Sequence, residues 1–551
     1  MSPILSGSRT TPNRNSHKEP LLNLRNFAHA SRSAVILITA LLLSAHAIAK
    51  NQAEVRSQWV YPDPSGKLVY RQLKTGDRIA DFSYAGYGGG GVALPTFPVR
   101  KTVRPSGKDD TSAIQSALDE IAKRPLVDGV RGAVLLEKGR FHCSATLRLT
   151  EGGIVLRGNG TGEAGTVIEM TGDPHLAISV GGKSVVKAVG TPMLVSDVYV
   201  PSGSQSLRVK DASGFAVGDR VQIVRPVTSE WLHFMGMDEL ERNGKKEIWV
   251  SGDLKTERTI GSIAGNKLTF DVPLTDSYDA TYLGAEGASI SKVEESGQIV
   301  NVGVENFRLV APARKVSLSE KSFNGLQMNG TVDGWVRDLR IVDTTEAVGV
   351  GRDARRITVE GVDVAQSVPI VGAAKPADFS VNGTQILVDR CSATGDNVFY
   401  VAVGPGMQGP NVVLNCVFHG NGHVQPHQRW STGILIDSCQ VPKGGIDLMN
   451  RGEMGSGHGW TMGWGVAWNN IAKSYIIQMP PGAANWAVGN RGDQQLGRMQ
   501  TYNPGPELPM LPQGIVESQE SPVSPASLYL AQLRDRLGPQ AVKNIGYHMP
   551  K

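Results

Sequence analysis

Ionisable and aromatic side chains are concentrated between two short apolar strings, in residues 409–439. The residues of this stretch that could do chemistry are His419, His423, His427, Arg429 and Trp430. An imidazole titrates near neutral pH and transfers protons, whereas a guanidinium binds a carboxylate through two parallel hydrogen bonds. The stretch therefore predicts proton transfer beside an anion-binding group.

A second group of the same residue types follows, with Arg451 placed 22 residues after Arg429. Its members are Asp447, Asn450, Arg451, Glu453, His458 and Trp460. Five of the nine tryptophans fall within residues 430–486, and an indole face stacks well on the C–H face of a sugar ring. The spacing suggests that the two groups lie side by side.

Strand-like strings recur along the chain and reach their marked positions at residues 307, 339, 362, 391, 416, 439 and 471. A recurrent spacing of 23 residues, lengthened by insertions, indicates a solenoid of stacked coils. A polar residue precedes most of the marked positions, namely Asn306, Asp338, Asn415, Ser438 and Asn470. We expect these residues at turns, because Asn and Asp tolerate unusual backbone dihedrals.

Three of the four cysteines, Cys391, Cys416 and Cys439, occupy marked positions, and Cys143 lies far upstream. The chain has no CxxC motif. We interpret the three as small buried side chains stacked in a ladder. A disulfide between adjacent coils is the alternative.

Residues 1–49 have the pattern of a secretory leader, with basic residues before an apolar run and a small-x-small motif at its end. Without the leader, the chain holds 51 basic and 50 acidic residues. This balance argues against non-specific nucleic-acid binding. We expect a secreted or periplasmic protein with no membrane contact after cleavage.

The rest of the chain divides by composition. We expect a lead-in over 50–98, the start of the coils over 99–199 and an inserted β-subdomain over 200–278, whose two hairpins are SLRVKDASGFAVGDRVQIV and TIGSIAGNKLTFDVPLT. The main coils follow over 279–490, and a tail with a last helix over 491–551.

DDTSAIQSALDEIA, followed by VLLEKGRFHCSATLRL and GIVLRGNGTG, resembles the entry to the pectate-lyase-like right-handed parallel β-helix superfamily. The resemblance covers residues 98–170 by motif and 299–489 by coil repeat. It implies an all-β fold: a right-handed parallel β-helix with an N-terminal capping helix, an inserted β-subdomain and a C-terminal helix. It also implies a carbohydrate-active protein, but the superfamily contains lyases, hydrolases, epimerases and transferases.

The histidines and arginines favour a lyase that cleaves a uronate-containing polysaccharide by β-elimination. Such a reaction needs a cation against the carboxylate, a base and an acid. We expect His427 to be the base, Arg429 or Arg451 to neutralise the carboxylate, and His458 to be the acid. The expected substrate-binding residues are His423, Trp430, Asn450, Glu453, Trp460, Asp447 and Asp396.

Other interpretations stay open. The tryptophans could fill the core, and the arginines could pair with Asp447, Glu453 or Asp437. A glycoside hydrolase would need two of the carboxylates Asp396, Asp437, Asp447 and Glu453. We expect no cofactor; a zinc ion on His419 and His423 and a calcium ion on turn carboxylates are the alternatives. A column that binds polysaccharide without catalysis is the alternative to an enzyme. The sequence does not indicate an oligomeric state.

Overall fold

The computed structural model describes residues 55–285, 287–317, 320–369, 377–397, 399–496 and 511–548. The expected leader lies outside these residues.

In the described residues, a network of 28 strands forms three parallel sheets that run along the stacked coils, as in a right-handed parallel β-helix. Sheet I contains Leu147–Leu149, Leu176–Val180, Asn324–Met328, Val348–Val350, Phe379–Val381, Phe399–Ala402, His423–Val424 and the second parts of Gln440–Leu448, Ile471–Ile477 and Arg491–Gln495. Sheet II contains Val99–Val103, Gly132–Leu136, Ile154–Arg157, the first parts of Ile299–Val310 and Thr331–Val342, then Arg355–Glu360, Leu387–Asp389, Gln408–Leu414, Ser431–Asp437, Met462–Gly463, Val466–Trp468, Trp486–Val488 and Ile515–Glu517. Sheet III contains Gly139–Cys143, Thr166–Met170, the second parts of Ile299–Val310 and Thr331–Val342, then Asp363–Ala365, Ser392–Thr394, Val417–Phe418 and the first parts of the three strands shared with sheet I.

The turn from sheet II to sheet III is the same in eight successive coils. One residue of each turn is in the left-handed region: Asn306, Asp338, Gly361, Arg390, Asn415, Ser438, Asn469 and Gly489. Asn, Asp and Gly adopt this conformation at the lowest cost, which explains their recurrence. The sharp bend lets the chain change sheets with a single residue.

The residue after each turn points into the core, and these side chains stack from coil to coil. The ladder is Phe307, Leu339, Val362, Cys391, Cys416, Cys439, Asn470 and Asn490. All four cysteines of the chain are free and buried, so the buried-thiol interpretation is confirmed. The expected position 471 is wrong by one residue. Asn469 makes the turn, and Asn470 enters the ladder, where its Nδ2 donates to Asn490 Oδ1 at 3.0 Å.

Sheet II is covered on its outer face by residues 55–98, which we call the strap. Trp59 packs edge-on against Trp486 of a late coil, and Tyr87 packs against Trp335 of an early one. The strap also contains the paired strands Val60–Pro62 and Leu68–Tyr70, and a 3₁₀ turn at Tyr87–Gly89. Both faces of sheet II are therefore buried, which accounts for the continuous apolar strings in its strands.

Helices close the column at its start and along its side. Helix α1 (Thr111–Ala122) buries Ile114, Leu118 and Ile121, as their spacing predicts. Helix α2 (Ser229–Phe234) belongs to the insertion. Helices α3 (Leu528–Leu537) and α4 (Pro539–Asn544) lie beside sheet II.

Asp437 shows how the C-terminal helix is held. Its Oδ2 accepts hydrogen bonds from Ser527 Oγ and from the backbone N–H of Tyr529, both at 2.8 Å. Tyr529 in turn donates to the backbone oxygen of Ala85 in the strap. Asp437 therefore has a structural role in holding the C-terminal helix, although the sequence analysis considered it as a catalytic carboxylate of a hydrolase.

The inserted subdomain leaves the column between sheet I and sheet II of an early coil. Its antiparallel sheet has the spatial order Val185–Leu194, Ser289–Ser296, Arg220–Arg225, Leu254–Ala264, Lys267–Phe270 and Ser206–Arg208. Two small pairs accompany it: Tyr199–Val200 with Tyr278–Asp279, and Glu241–Arg242 with Lys245–Lys246. The insertion is longer than residues 200–278, because the first and last strands of its sheet in sequence, Val185–Leu194 and Ser289–Ser296, pair with each other.

One of the two expected hairpins is present in the insertion, and the other is wrong. Leu254–Ala264 and Lys267–Phe270 form a hairpin, but Ser206–Arg208 pairs with Lys267–Phe270 and not with Arg220–Arg225. In the part of the chain that the structure describes, no helix is long and apolar enough to cross a membrane.

Candidate functional site

The candidate residues gather where sheet I passes to sheet II in the late coils, and we call this border the I–II edge. Its turns are residues 425–430, 449–461 and 478–485. The insertion grows from the same border of an early coil and folds over these turns, where Trp249 Nε1 donates to the backbone oxygen of Trp460 at 3.1 Å. Turns of this kind place side chains on a rigid column.

His423 and Asp447 form a buried pair on the outer face of sheet I. His423 Nδ1 lies 2.6 Å from Asp447 Oδ2, and both side chains have at most 1% of their surface exposed. Gln425 Nε2 donates to the same carboxylate oxygen at 2.7 Å. The coil period thus unites residues 24 positions apart in sequence.

Gly445 makes room for this pair. A Cβ atom at Gly445 would lie 2.6 Å from His423 Nδ1 and 2.9 Å from Ser474 Oγ. The backbone of Gly445 does not require glycine, so the constraint is steric. A side chain here would push His423 away from Asp447.

His427 contacts both Arg451 and His458, and the ring of Phe399 packs against His427 and Arg451. Arg451 Nη1 lies 3.2 Å from His427 Nδ1, and the same nitrogen donates to the backbone oxygen of His427 at 2.8 Å. The rings of His427 and His458 are 4.7 Å apart between centroids. The ring of Phe399 meets His427 edge-on at 4.8 Å, and its centroid lies 5.5 Å from Arg451 Cζ.

Both imidazoles are neutral at physiological pH. Burial, followed by the charge of Arg451, lowers the pKa of His427 to about 2. Burial and the charges of Arg451 and Arg429 lower the pKa of His458 to about 3. A neutral imidazole has one nitrogen that can accept a hydrogen bond or a proton, and one N–H that donates a hydrogen bond.

Arg429 joins this group from the solvent side. It is half-buried, its Nη2 donates to the backbone oxygen and Oγ of Ser456, and its backbone N–H donates to the backbone oxygen of His458. Within the described ranges, no carboxylate lies within 4.0 Å of the Arg429 guanidinium, contrary to the ion-pair interpretation. Its Nε is buried with no hydrogen-bond partner among those residues.

Arg429 also lines a polar cleft of about 350 Å³ between the insertion and the column. Lys255 and Arg352 add two exposed cations to this cleft, and Asp253 and Glu257 add two carboxylates. With Arg429 and the buried Arg258, four basic side chains line the cleft, which suits a chain that carries regularly spaced negative charges.

The expected role of Trp430 and Trp460 in an open groove is not supported by their positions. Trp430 is 2% exposed and Trp460 is 3% exposed. Their indole nitrogens donate to Asp276 Oδ2 and to the backbone oxygen of Met235. Both rings bind the insertion to the column, so packing explains their placement better than polymer stacking does.

Three further predicted substrate-binding residues, all within the described ranges, have no contact with the imidazoles of the histidine cluster. Two of them are exposed, and the third holds a turn in shape. Asp396 and Glu453 are exposed, and Asp396 accepts a long hydrogen bond of 3.4 Å from the backbone N–H of Asn421. The side chain of Asn450 accepts from the backbone N–H of Gly452 and so shapes the turn.

Asp378 is a buried carboxyl that sequence reasoning missed. Its backbone N–H donates to the backbone oxygen of Phe399, which places it one coil from the cluster. Its Oδ1 accepts from Gln366 Nε2 at 3.2 Å, and burial raises its pKa to about 7. Burial also raises the pKa of Glu346 in the adjacent coil. The strand after Asp378 has three residues, too short to show a pattern.

Metal binding finds no support in the described part of the chain, where no group of three or more His, Cys, Asp or Glu residues could hold an ion. His419 is exposed, whereas His423 is buried against Asp447. The two histidines considered for zinc therefore lie in different environments.

No model of a known protein family matches the sequence, and no curated protein matches it. Among solved structures, the chain is similar to the Gp54 tailspike of Acinetobacter baumannii bacteriophage AP22 in complex with A. baumannii capsular saccharide, at 13% identity over 76% of this chain and 73% of that chain, with a TM-score of 0.28. It is similar to the tailspike of E. coli bacteriophage HK620 in complex with a pentasaccharide, at 10% identity over 80% and 62%, with a TM-score of 0.38. It is also similar to a polygalacturonase from Erwinia carotovora, at 11% identity over 75% and 98%, with a TM-score of 0.33. These values carry no conclusion about activity.

Proposed function

We propose that the protein is an exported enzyme that cleaves an acidic, uronate-containing polysaccharide by β-elimination at the I–II edge. The observation that carries the proposal is the contact between two neutral imidazoles, His427 and His458, flanked by Arg429 and Arg451. Arg429 faces the polar cleft, where a polymer can enter.

The four side chains take separate roles. Arg429 pairs with the uronate carboxylate, which makes the proton on the neighbouring carbon more acidic. His458 removes that proton, the electron pair forms a carbon–carbon double bond, and the bond to the leaving oxygen breaks. His458 then returns that proton to the leaving oxygen, which His427 holds through a hydrogen bond from its Nε2–H.

Arg451 is a positioning residue in this scheme. A guanidinium only donates hydrogen bonds, so His427 Nδ1 is the acceptor at 3.2 Å and the ring proton lies on Nε2. His427 therefore presents a hydrogen-bond donor at Nε2, and the proposal assigns to His458 the role of base that the sequence analysis expected of His427.

A glycoside hydrolase is the second candidate, and Asp378 favours it. A carboxyl with a pKa of about 7 retains a proton near neutral pH, as a general acid must. Glu346 precedes a strand of the adjacent coil, and adjacent coils are about 4.8 Å apart, close to the separation of the two carboxyls in a retaining glycosidase.

The two chemistries are separated by assaying the purified protein on uronate-containing and neutral polysaccharides. Ultraviolet absorbance reports the double bond made by elimination, and reducing ends report any cleavage. We expect both signals on a uronate polymer and neither on a neutral one. New reducing ends without a rise in absorbance would contradict β-elimination and favour hydrolysis by Asp378 and Glu346.

His427→Gln and Arg429→Ala should each lower the rate by about two orders of magnitude. His419→Ala is the matched control, because His419 is exposed on the same part of the column and lies outside the cluster. If wild type binds the polymer but gives neither signal, the protein is a binding column and the enzyme proposal is wrong.

A further inference from the structure

A second cavity, of about 730 Å³, lies between the insertion and the turns of the I–II edge. We call it the insertion cavity. On the insertion side it is lined by Trp231, Phe234, Tyr282 and Arg225, and on the column side by Trp460 and Pro480 among others. It is separate from the polar cleft that contains Arg429.

Aromatic rings form a rigid wall of this cavity. Phe234 and Tyr282 are stacked with their centroids 4.0 Å apart, and both rings are half-buried. Behind them, Trp231 stacks on Trp249 at 5.1 Å and meets Trp430 edge-on at 5.7 Å. Flat apolar rings fixed in this way offer a surface to the C–H face of a sugar ring.

Arg225 brings a buried positive charge to the wall of this cavity. Its side chain is 6% exposed, and its guanidinium lies 4.1 Å from the centre of the Trp231 ring. Its Nε is 3.8 Å from Asp276 Oδ2, too far for a hydrogen bond. Across the described residues, neither Nε nor Nη1 of Arg225 has a hydrogen-bond partner.

Burial of a guanidinium with two nitrogens that make no hydrogen bond is costly, and the ion pair with Asp276 compensates for it only partly. Asp276 Oδ2 accepts a hydrogen bond from Trp430 Nε1, and burial raises the pKa of its carboxyl. A carboxylate in the cavity would face the guanidinium of Arg225 and accept a charge-assisted hydrogen bond from the edge that lines it.

We propose that the insertion cavity is a binding subsite for a carboxylate-bearing sugar, with Arg225 holding the carboxylate and the Phe234–Tyr282 pair supporting the ring. The choice of sugar acid rests on the proposed function. Asn450 borders the cavity and precedes Arg451, so the subsite lies next to the turn that positions His427.

The test measures binding of a saturated uronate trisaccharide and of its carboxyl-reduced neutral counterpart by titration calorimetry. Arg225→Lys keeps the charge but loses the planar fork, and we expect its affinity for the uronate to fall about tenfold or more, with binding of the neutral sugar unchanged. Tyr282→Ala should weaken both ligands by about tenfold. Glu230→Gln, on the exposed side of α2, is the matched control and should bind as wild type does.

The melting temperature of each variant checks that the insertion stays folded, and Tyr282→Ala keeps the test valid if Arg225→Lys does not fold. Equal affinity of wild type for the acidic and neutral sugars, or unchanged affinity in both variants, would overturn the proposal. Arg225-dependent binding without any cleavage would support the subsite and contradict the proposed function. Normal cleavage together with unchanged affinity in Arg225→Lys would contradict the subsite alone.

Discussion

One nitrogen of Arg451 holds both the ring and the backbone of His427, with Nη1 3.2 Å from Nδ1 and 2.8 Å from the carbonyl oxygen. Arg451 comes from the next coil, so the two residues bind neighbouring turns together as well as fixing the imidazole. The ring of His427 therefore has one orientation and one neutral tautomer.

Arg451→Lys should lower kcat by about two orders of magnitude and leave KM nearly unchanged, because a lysine cannot hold both acceptors in this geometry. The measurement is the steady-state rate of double-bond formation on a uronate polymer. Arg491→Lys, at an exposed arginine, is the control. A large rise in KM with unchanged kcat would show that Arg451 binds substrate directly.

The rate of cleavage should not fall as the pH is lowered from about 7 to about 5. A free imidazole would become protonated in this range, but burial lowers the pKa of His427 to about 2 and that of His458 to about 3. The profile of kcat/KM against pH checks this on the folded protein. An acid limb near pH 6.5 would mean that the catalytic imidazole is not one of these two.

Asp378→Asn should raise the stability of the protein at about pH 8 more than at about pH 5. The folded-state pKa of Asp378 is raised to about 7, so its contribution to stability is present below the unfolded pKa and is lost as the pH rises through 7. The difference between the two pH values should be a few kcal/mol at most, on the order of 3. Thermal or urea unfolding of both proteins measures it, and parallel curves would contradict the burial of this carboxyl.

Gly445→Ala should cost about 1–3 kcal/mol of stability and lower activity, because the new Cβ would lie 2.6 Å from His423 Nδ1. The same substitution should cost much less in a His423→Ala background, so a double-mutant cycle isolates the clash. Gly214→Ala is the control, since its φ is ordinary and a methyl group there would meet no atom within 4 Å beyond its chain neighbours. An equal cost in both backgrounds would remove His423 as the cause.

The native protein should not react with a thiol reagent, and the denatured protein should expose all four thiols without a reductant. Burial raises the pKa of Cys416 well above its usual range, and so do the neighbouring thiols of Cys391 and Cys439. Two thiols in the denatured state would reveal a disulfide between coils.

The coils could be predicted from the sequence, because each coil places one side chain in the buried ladder and so repeats the same apolar string. The prediction slips at Asn469 and Asn470, where two asparagines are adjacent and only the dihedral of Asn469 shows which one turns. The contact of His423 with Asp447 follows from the coil period. The burial of Trp430 could not be predicted, because its ring packs against Trp231 and Trp249 and donates to Asp276, all in the insertion and far away in sequence.

The strap has a consequence for how the molecule comes apart. In an open solenoid each coil contacts only its neighbours, so the ends fray first and unfolding proceeds coil by coil. Here Val55 pairs with Val523, and the strap then runs past Trp486 to Trp335 near the other end. Unfolding any coil would expose the part of the strap that packs on it, so the column should denature in one cooperative transition. Folding can be complete only after the C-terminal strand, which pairs with the strap, has been synthesised.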